Sequence, residues 1–327
     1  MRLMPVIILV FLCCWTSPAG ADRGVTSRVI NAKLKLFEWL PPGFGQGNKR
    51  WPLVVFSHGY HGCGPQSKFL TEGLAKHGYV VVAPNHEDAS CGRRLEGSNS
   101  ETPDTPTLDA DAFLAEVNGD KNADHGPRLG RRLRDRLAGK SGARARFGNP
   151  ASWNQDSFKD RFEDIEWVIN YALSDKQLAP FIDTQRIGLA GHSLGGYTVL
   201  GLAGGWPSWK DKRVKAVLAL SPYGQPFAKQ HTLRGIDVPV MYQGGTRDTG
   251  ITPFIKGKDG MYDQTPSPKY FVEFARTGHF GFTNMTGPHD RINDYAFAFF
   301  DKYLLGQDSE LLKTGAEPGV TDWRAAP

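Results

Sequence analysis

Short, nearly continuous apolar runs alternate along this chain with segments whose apolar residues recur at three-and-four spacing. Leu53-Val54-Val55-Phe56 and Val80-Val81-Val82-Ala83 have the length and β-branched character of strands buried on both faces. The same criterion predicts strands over 29–39, 52–57, 79–84, 186–191, 214–221, 238–244 and 270–275. Helical periodicity covers 66–77, 157–173, 194–203 and 291–305, and in the last of these Ile292, Tyr295, Ala296, Phe299 and Tyr303 mark the buried face. Alternation of this kind predicts an α/β fold with a mostly parallel central sheet covered by helices on both faces.

Residues 93–153 break the rhythm. They carry no strand pattern and are rich in Ser, Thr, Pro, Asp, Gly and Arg, so they are expected to form a long lid-like insertion. Within it, 128–146 holds Arg128, Arg131, Arg132, Arg134, Arg136, Lys140, Arg144 and Arg146 against Asp135 alone. Such a run is either a solvated helix face or a patch for transient contact with an anionic membrane surface. The net charge of the whole chain is only +5, which gives no case for nucleic-acid binding. A mean hydropathy of −0.40 and the lack of any apolar run of ~18 residues exclude a multi-span membrane protein.

At the N-terminus, Arg2, the run Val6 to Leu12 and Ala19-Gly20-Ala21 have the three-part form of a secretory leader. The expectation is a signal peptide over 1–21, a secreted or periplasmic location, and a single domain over 22–327. Cleavage there leaves Cys63 and Cys91, which in an oxidising compartment form either one disulfide or two buried thiols.

The chemistry concentrates at Gly191-His192-Ser193-Leu194-Gly195-Gly196. A strand pattern ends at Gly191 and a helical one starts after Ser193, so the G-x-S-x-G sequence lies on a strand-to-helix turn. That turn strains the serine and leaves no room for side chains two residues to either side. Serine needs a base, and the base needs a carboxylate to orient it. Asp248 follows the 238–244 strand and His279 follows the 270–275 strand, giving the order Ser193, Asp248, His279 with each group just beyond a strand end. Asp259 and Asp263 compete for the acid role and His289 for the base role, but they lie farther from strand ends. An acyl-transfer site also needs oxyanion donors. The N–H of Leu194 is one, and the Gly-rich loop His58-Gly59-Tyr60-His61-Gly62-Cys63-Gly64 supplies the other, from Tyr60 or, failing that, His61. His192 is expected to pack beneath the turn, and His58 and His86 to hydrogen-bond loops around the site. His58, His61, His86, Glu87 and Asp88 do not have the spacing of a metal site, and no nucleotide-binding fingerprint occurs, so no metal and no cofactor are expected.

Val54-Val55-Phe56-Ser57-His58-Gly59, the Ser193 hexapeptide and Gly278-His279-Phe280 together resemble the α/β-hydrolase superfamily. Within it they are similar to the branch of platelet-activating-factor acetylhydrolases and dienelactone-hydrolase-like proteins. The resemblance implies an eight-stranded sheet, Ser193, Asp248 and His279 as triad, Tyr60 and Leu194 as oxyanion donors, and no metal. The expectation is a serine esterase acting on small-molecule or lipid esters through an acyl-enzyme. The alternatives are a phospholipase-type lipid hydrolase, a cutinase-like polyester hydrolase, and a catalytically silent binding protein on the same fold.

Overall fold

The structure, a computed structural model, describes residues 25–90, 147–315 and 317–327. The leader expected over 1–21, most of the insertion with its basic run 128–146, and Cys91 lie outside the described residues. Among the described residues nine strands form one sheet. They are β1 (Thr26–Asn31), β2 (Lys35–Leu40), β3 (Trp51–Ser57), β4 (Val80–Pro84), β5 (Ile182–His192), β6 (Val214–Leu220), β7 (Val240–Gly245), β8 (Lys269–Phe274) and β9 (Val320–Ala326). Their order is β1-β2-β4-β3-β5-β6-β7-β8-β9, parallel from β4 to β8 and antiparallel at both edges.

The apolar runs make this sheet because both faces are covered. Leu53 and Val55 enter one core layer, with Ile165 and Val168 of helix α2 (Lys159–Ser174) and Tyr197 and Val199 of α3 (Leu194–Leu200). Val54 and Phe56 enter the other, with Leu70 and Leu74 of α1 (Lys68–Lys76) and Ile292, Tyr295 and Phe299 of α7 (His289–Phe300). Three short helices, α4 (Gln225–Gln230), α5 (Thr252–Lys256) and α6 (Met261–Gln264), cap the β6–β8 end, and α8 (Glu310–Thr314) precedes β9.

The sheet departs from expectation at its edges. The run 29–39 is two strands, folded on a turn in which Ala32 N–H donates to Leu34 O at 3.1 Å. Among the described residues there are nine strands where the resemblance implied eight, and β9, which no apolar run announced, pairs antiparallel with β8 at one edge. Its Thr321, Asp322 and Arg324 lack an apolar run, and charged residues on an edge strand discourage pairing with other chains.

Candidate active site

β5 ends at His192, and the chain reverses into α3 through Ser193, whose φ of 55° and ψ of −118° lie where side-chain-bearing residues rarely go. The neighbouring glycines make this possible. A methyl at Gly191 would lie 2.3 Å from Gly195 O, and one at Gly195 would lie 1.9 Å from Ser57 O. Backbone bonds fix the turn to the end of β6: Ser193 N–H donates to Leu220 O at 3.0 Å, and Ser193 O accepts from Tyr223 N–H at 2.9 Å. Ser193 is buried, and among the described residues its Oγ has no hydrogen-bond partner.

The strand ends bring Asp248 and His279 together, with Nδ1 of the histidine 3.1 Å from Oδ2 of the carboxylate and both residues buried. Ser221 joins them, and no sequence pattern had singled it out. It follows β6 at φ 41°, its hydroxyl donates to Asp248 Oδ2, and its Oγ lies 2.8 Å from His279 Nδ1. Among the described residues Asp248 Oδ1 has no partner. The competing groups lie elsewhere. His289 stacks on Phe69 and reaches Thr283 O at 2.9 Å, while Asp263 accepts from Asp259 N–H at 3.0 Å.

A chain of bonds beneath the turn joins the glycine loop to the histidine loop. Gly59 N–H donates to Gln66 Oε1 at 3.0 Å, and Gln66 Nε2 donates to His192 Nδ1 at 2.8 Å. His192 Nε2 then donates to His279 O at 3.0 Å. Burial holds the pKa of His192 well below the ordinary range, so one ring nitrogen accepts and the other donates. His192 thus underlies the turn as expected.

His58 and His86 also tie loops together. His58 Nε2 accepts from His86 N–H at 3.0 Å and its Nδ1 donates to Gly59 O at 2.7 Å. His86 Nε2 accepts from the Ser57 hydroxyl at 2.9 Å and its Nδ1 donates to Asp164 Oδ2 at 2.9 Å. Burial, then the nearby Arg161 guanidinium, pushes both imidazoles well below their ordinary pKa. Burial raises Asp164 to about 6, whereas Asp88, despite its burial, is held below the usual carboxylate range by Arg161. Arg161 and Gln66 were not anticipated from sequence.

Leu194 opens α3, where a helix leaves its first N–H groups without intrahelical acceptors. Tyr60 follows Gly59, whose Cα carries no side chain where a methyl would lie 3.4 Å from Ser193 Cβ. The Tyr60 ring packs 5.1 Å from Phe147, which in turn packs 5.0 Å from Tyr223 and 5.4 Å from Trp153, an aromatic wall beside the turn. Among the described residues no cluster of three or more His, Cys, Asp or Glu side chains has the arrangement of a metal site, and no helix is long and apolar enough to cross a membrane.

Residues 148–311, half of the chain, match the family model described as PET hydrolase-like, and residues 39–109 match platelet-activating factor acetylhydrolase, isoform II. The chain is 25% identical to a platelet-activating factor acetylhydrolase of Cavia porcellus over 55% of this chain and 37% of that protein. It is 28% identical to cutinase est1 and to cutinase est2 of Thermobifida alba, over 46% of this chain and 47% of each cutinase. The chain therefore spans less than half the length of each of these relatives. The mostly parallel sheet with its flanking helices is an α/β-hydrolase fold.

Proposed function

Because the chain belongs to the PET hydrolase-like family, we propose that it is a serine hydrolase cleaving carboxylic esters, with Ser193 as nucleophile, His279 as base and Asp248 as the carboxylate that orients it. The observation that carries this reading is the Asp248–His279 pair at 3.1 Å, whose histidine accepts at its backbone O from His192, the residue before a serine held at φ 55° on a strand-to-helix turn. His279 Nδ1–H donates to Asp248, which leaves Nε2 to take the proton from Ser193 as Oγ attacks the ester carbonyl. The developing oxyanion is met by the N–H groups of Leu194 and Tyr60. Proton return to the leaving alcohol frees it, and water activated by the same histidine releases the acid. The unbonded Oγ accords with a resting state in which the serine–base contact tightens only when substrate arrives.

The substrate is a small-molecule or lipid ester, in keeping with the acetylhydrolase and cutinase names of the relatives. The leader at 1–21 and a Cys63–Cys91 bridge belong to a secreted enzyme, and the basic run 128–146 meets anionic headgroups. Ser193→Ala is expected to abolish hydrolysis of short p-nitrophenyl esters and labelling by a fluorophosphonate. A Ser193→Ala protein with wild-type turnover would overturn the assignment.

A further inference from the structure

The Arg161–Asp88 ion pair has no part in the proposed reaction, yet both side chains are buried. Taking a guanidinium and a carboxylate out of water is costly, and an apolar pair of similar volume would often be at least as stable. Its bonds all converge on one stretch of backbone. Arg161 Nη1 donates to His58 O at 2.8 Å and Nη2 donates to Gly59 O at 3.2 Å. Nε and Nη2 also donate to Asp88 Oδ1, at 3.2 and 3.0 Å, and Asp88 Oδ2 accepts from His61 N–H at 3.1 Å. The ion pair thus grips the two carbonyls before Tyr60 and the N–H after it.

Peptide planarity turns this grip into an aiming device. The Gly59 carbonyl and the Tyr60 N–H belong to one planar trans unit and point in opposite directions. A cation that fixes the carbonyl on one side therefore fixes the N–H on the other, and His58 Nδ1–H at 2.7 Å and Gly62 N–H at 3.0 Å hold the same oxygen beside it. The adjoining Gly59 Cα faces the nucleophile, its missing methyl falling 3.4 Å from Ser193 Cβ. A positive charge at the carbonyl end also polarises the peptide in the sense that strengthens its N–H as a donor, and screening is weak in so buried a place.

We propose that Arg161, anchored by Asp88, is the positioning residue that aims and polarises the Gly59–Tyr60 peptide as an oxyanion donor. The inference rests on the reading of Ser193 as nucleophile. Its test uses the full chain, p-nitrophenyl acetate, and phenylboronic acid, which gives a tetrahedral anionic adduct on an active serine. In Arg161→Lys the charge opposite Asp88 remains but the fork that spans both carbonyls is lost. kcat per fluorophosphonate-titrated site should fall by about tenfold or more, KM should stay within about threefold, and the boronate Ki should rise in step with the kcat loss. The isosteric Asp88→Asn keeps the packing if Arg161→Lys does not fold, and should show a smaller loss in the same two readouts.

A purely structural role would lower the number of titratable sites and leave per-site kcat and Ki in place. That result, with Ser193→Ala inactive, overturns the role of Arg161 and leaves the esterase reading standing. An active Ser193→Ala overturns the esterase reading itself.

Discussion

Removing the Ser221 hydroxyl tests whether the acid–base pair works as a pair or as a triangle. The Asp248 carboxylate is 1% exposed and cannot turn to water for compensation. Among the described residues its Oδ2 receives the Ser221 O–H and the His279 Nδ1–H, and its Oδ1 receives nothing. Ser221→Ala therefore removes one of two donors from a buried anion and leaves the space to a methyl group. A hydrogen bond to a charged group contributes about 1.5–3 kcal/mol, and the buried site favours the upper half of that range. At about 1.4 kcal/mol per decade, kcat/KM should drop roughly 40- to 140-fold. The loss should appear in kcat rather than KM, because the hydroxyl touches the acid and base and not the ester. The assay is p-nitrophenyl acetate hydrolysis normalised to fluorophosphonate-titrated sites, with thermal melts run alongside. A Ser221→Ala enzyme within about twofold of wild type in kcat would show that the third donor is dispensable and refute the reasoning.

Further outcomes follow from the polar network around the loops. Asp164, with a side chain 11% exposed, is raised from 3.8 to about 6 by burial, so between about pH 4 and 6 it is protonated in the fold and ionised in the unfolded chain. The sign is that wild-type stability falls as pH rises through this window, whereas Asp164→Asn lacks this slope. The variant should gain on wild type by up to about 2–3 kcal/mol between pH 4 and 7 in denaturant titrations, and a constant difference would contradict it. Arg161, Lys33, Asp88, Glu163 and His86 face Asp164 in both proteins. Gln66→Glu keeps an acceptor for Gly59 N–H but sets a second acceptor against the His192 Nδ1 lone pair, now 2.8 Å from an amide. It should cost about 1–3 kcal/mol of stability, and an unchanged urea midpoint would show that the Gln66–His192 link carries little.

Much of the sheet was legible because parallel strands buried on both faces have no polar positions to confuse the pattern. Leu53 to Phe56 and Val80 to Ala83 are fully buried, as their apolar runs imply. The edges were harder to read. β1 and β2 fold on Ala32-Lys33-Leu34, a turn without Gly or Pro, so the segment looked continuous. β9 is held by the β8 ladder and by Trp323 packing 5.8 Å from Tyr270, information that resides in β8 and not in 320–326. The helices α4 to α6 and α8 are four to six residues long, shorter than two helical turns, so no periodicity can develop in them.

The site divides along the same line between local and distant causes. The serine turn is dictated by its own glycines, and Asp248 and His279 could be placed because each follows a strand that can be read independently. Ser221 and Arg161 acquire their roles from partners 27 to 103 residues away, and Gln66 joins Gly59, seven residues before it, to His192, 126 residues after it, so their immediate surroundings do not fix these roles. Arg161 nevertheless left a trace. It stands on the stripe that Ile165, Val168, Ile169 and Ala172 bury along α2, where a cation has no access to water. A charge on an apolar stripe requires a buried counter-charge and buried acceptors, since an isolated one would be prohibitively expensive. The helical pattern over 157–173 thus already contained a demand for a carboxylate and carbonyls beneath it. Asp88 and the backbone of the glycine loop are the groups that meet that demand.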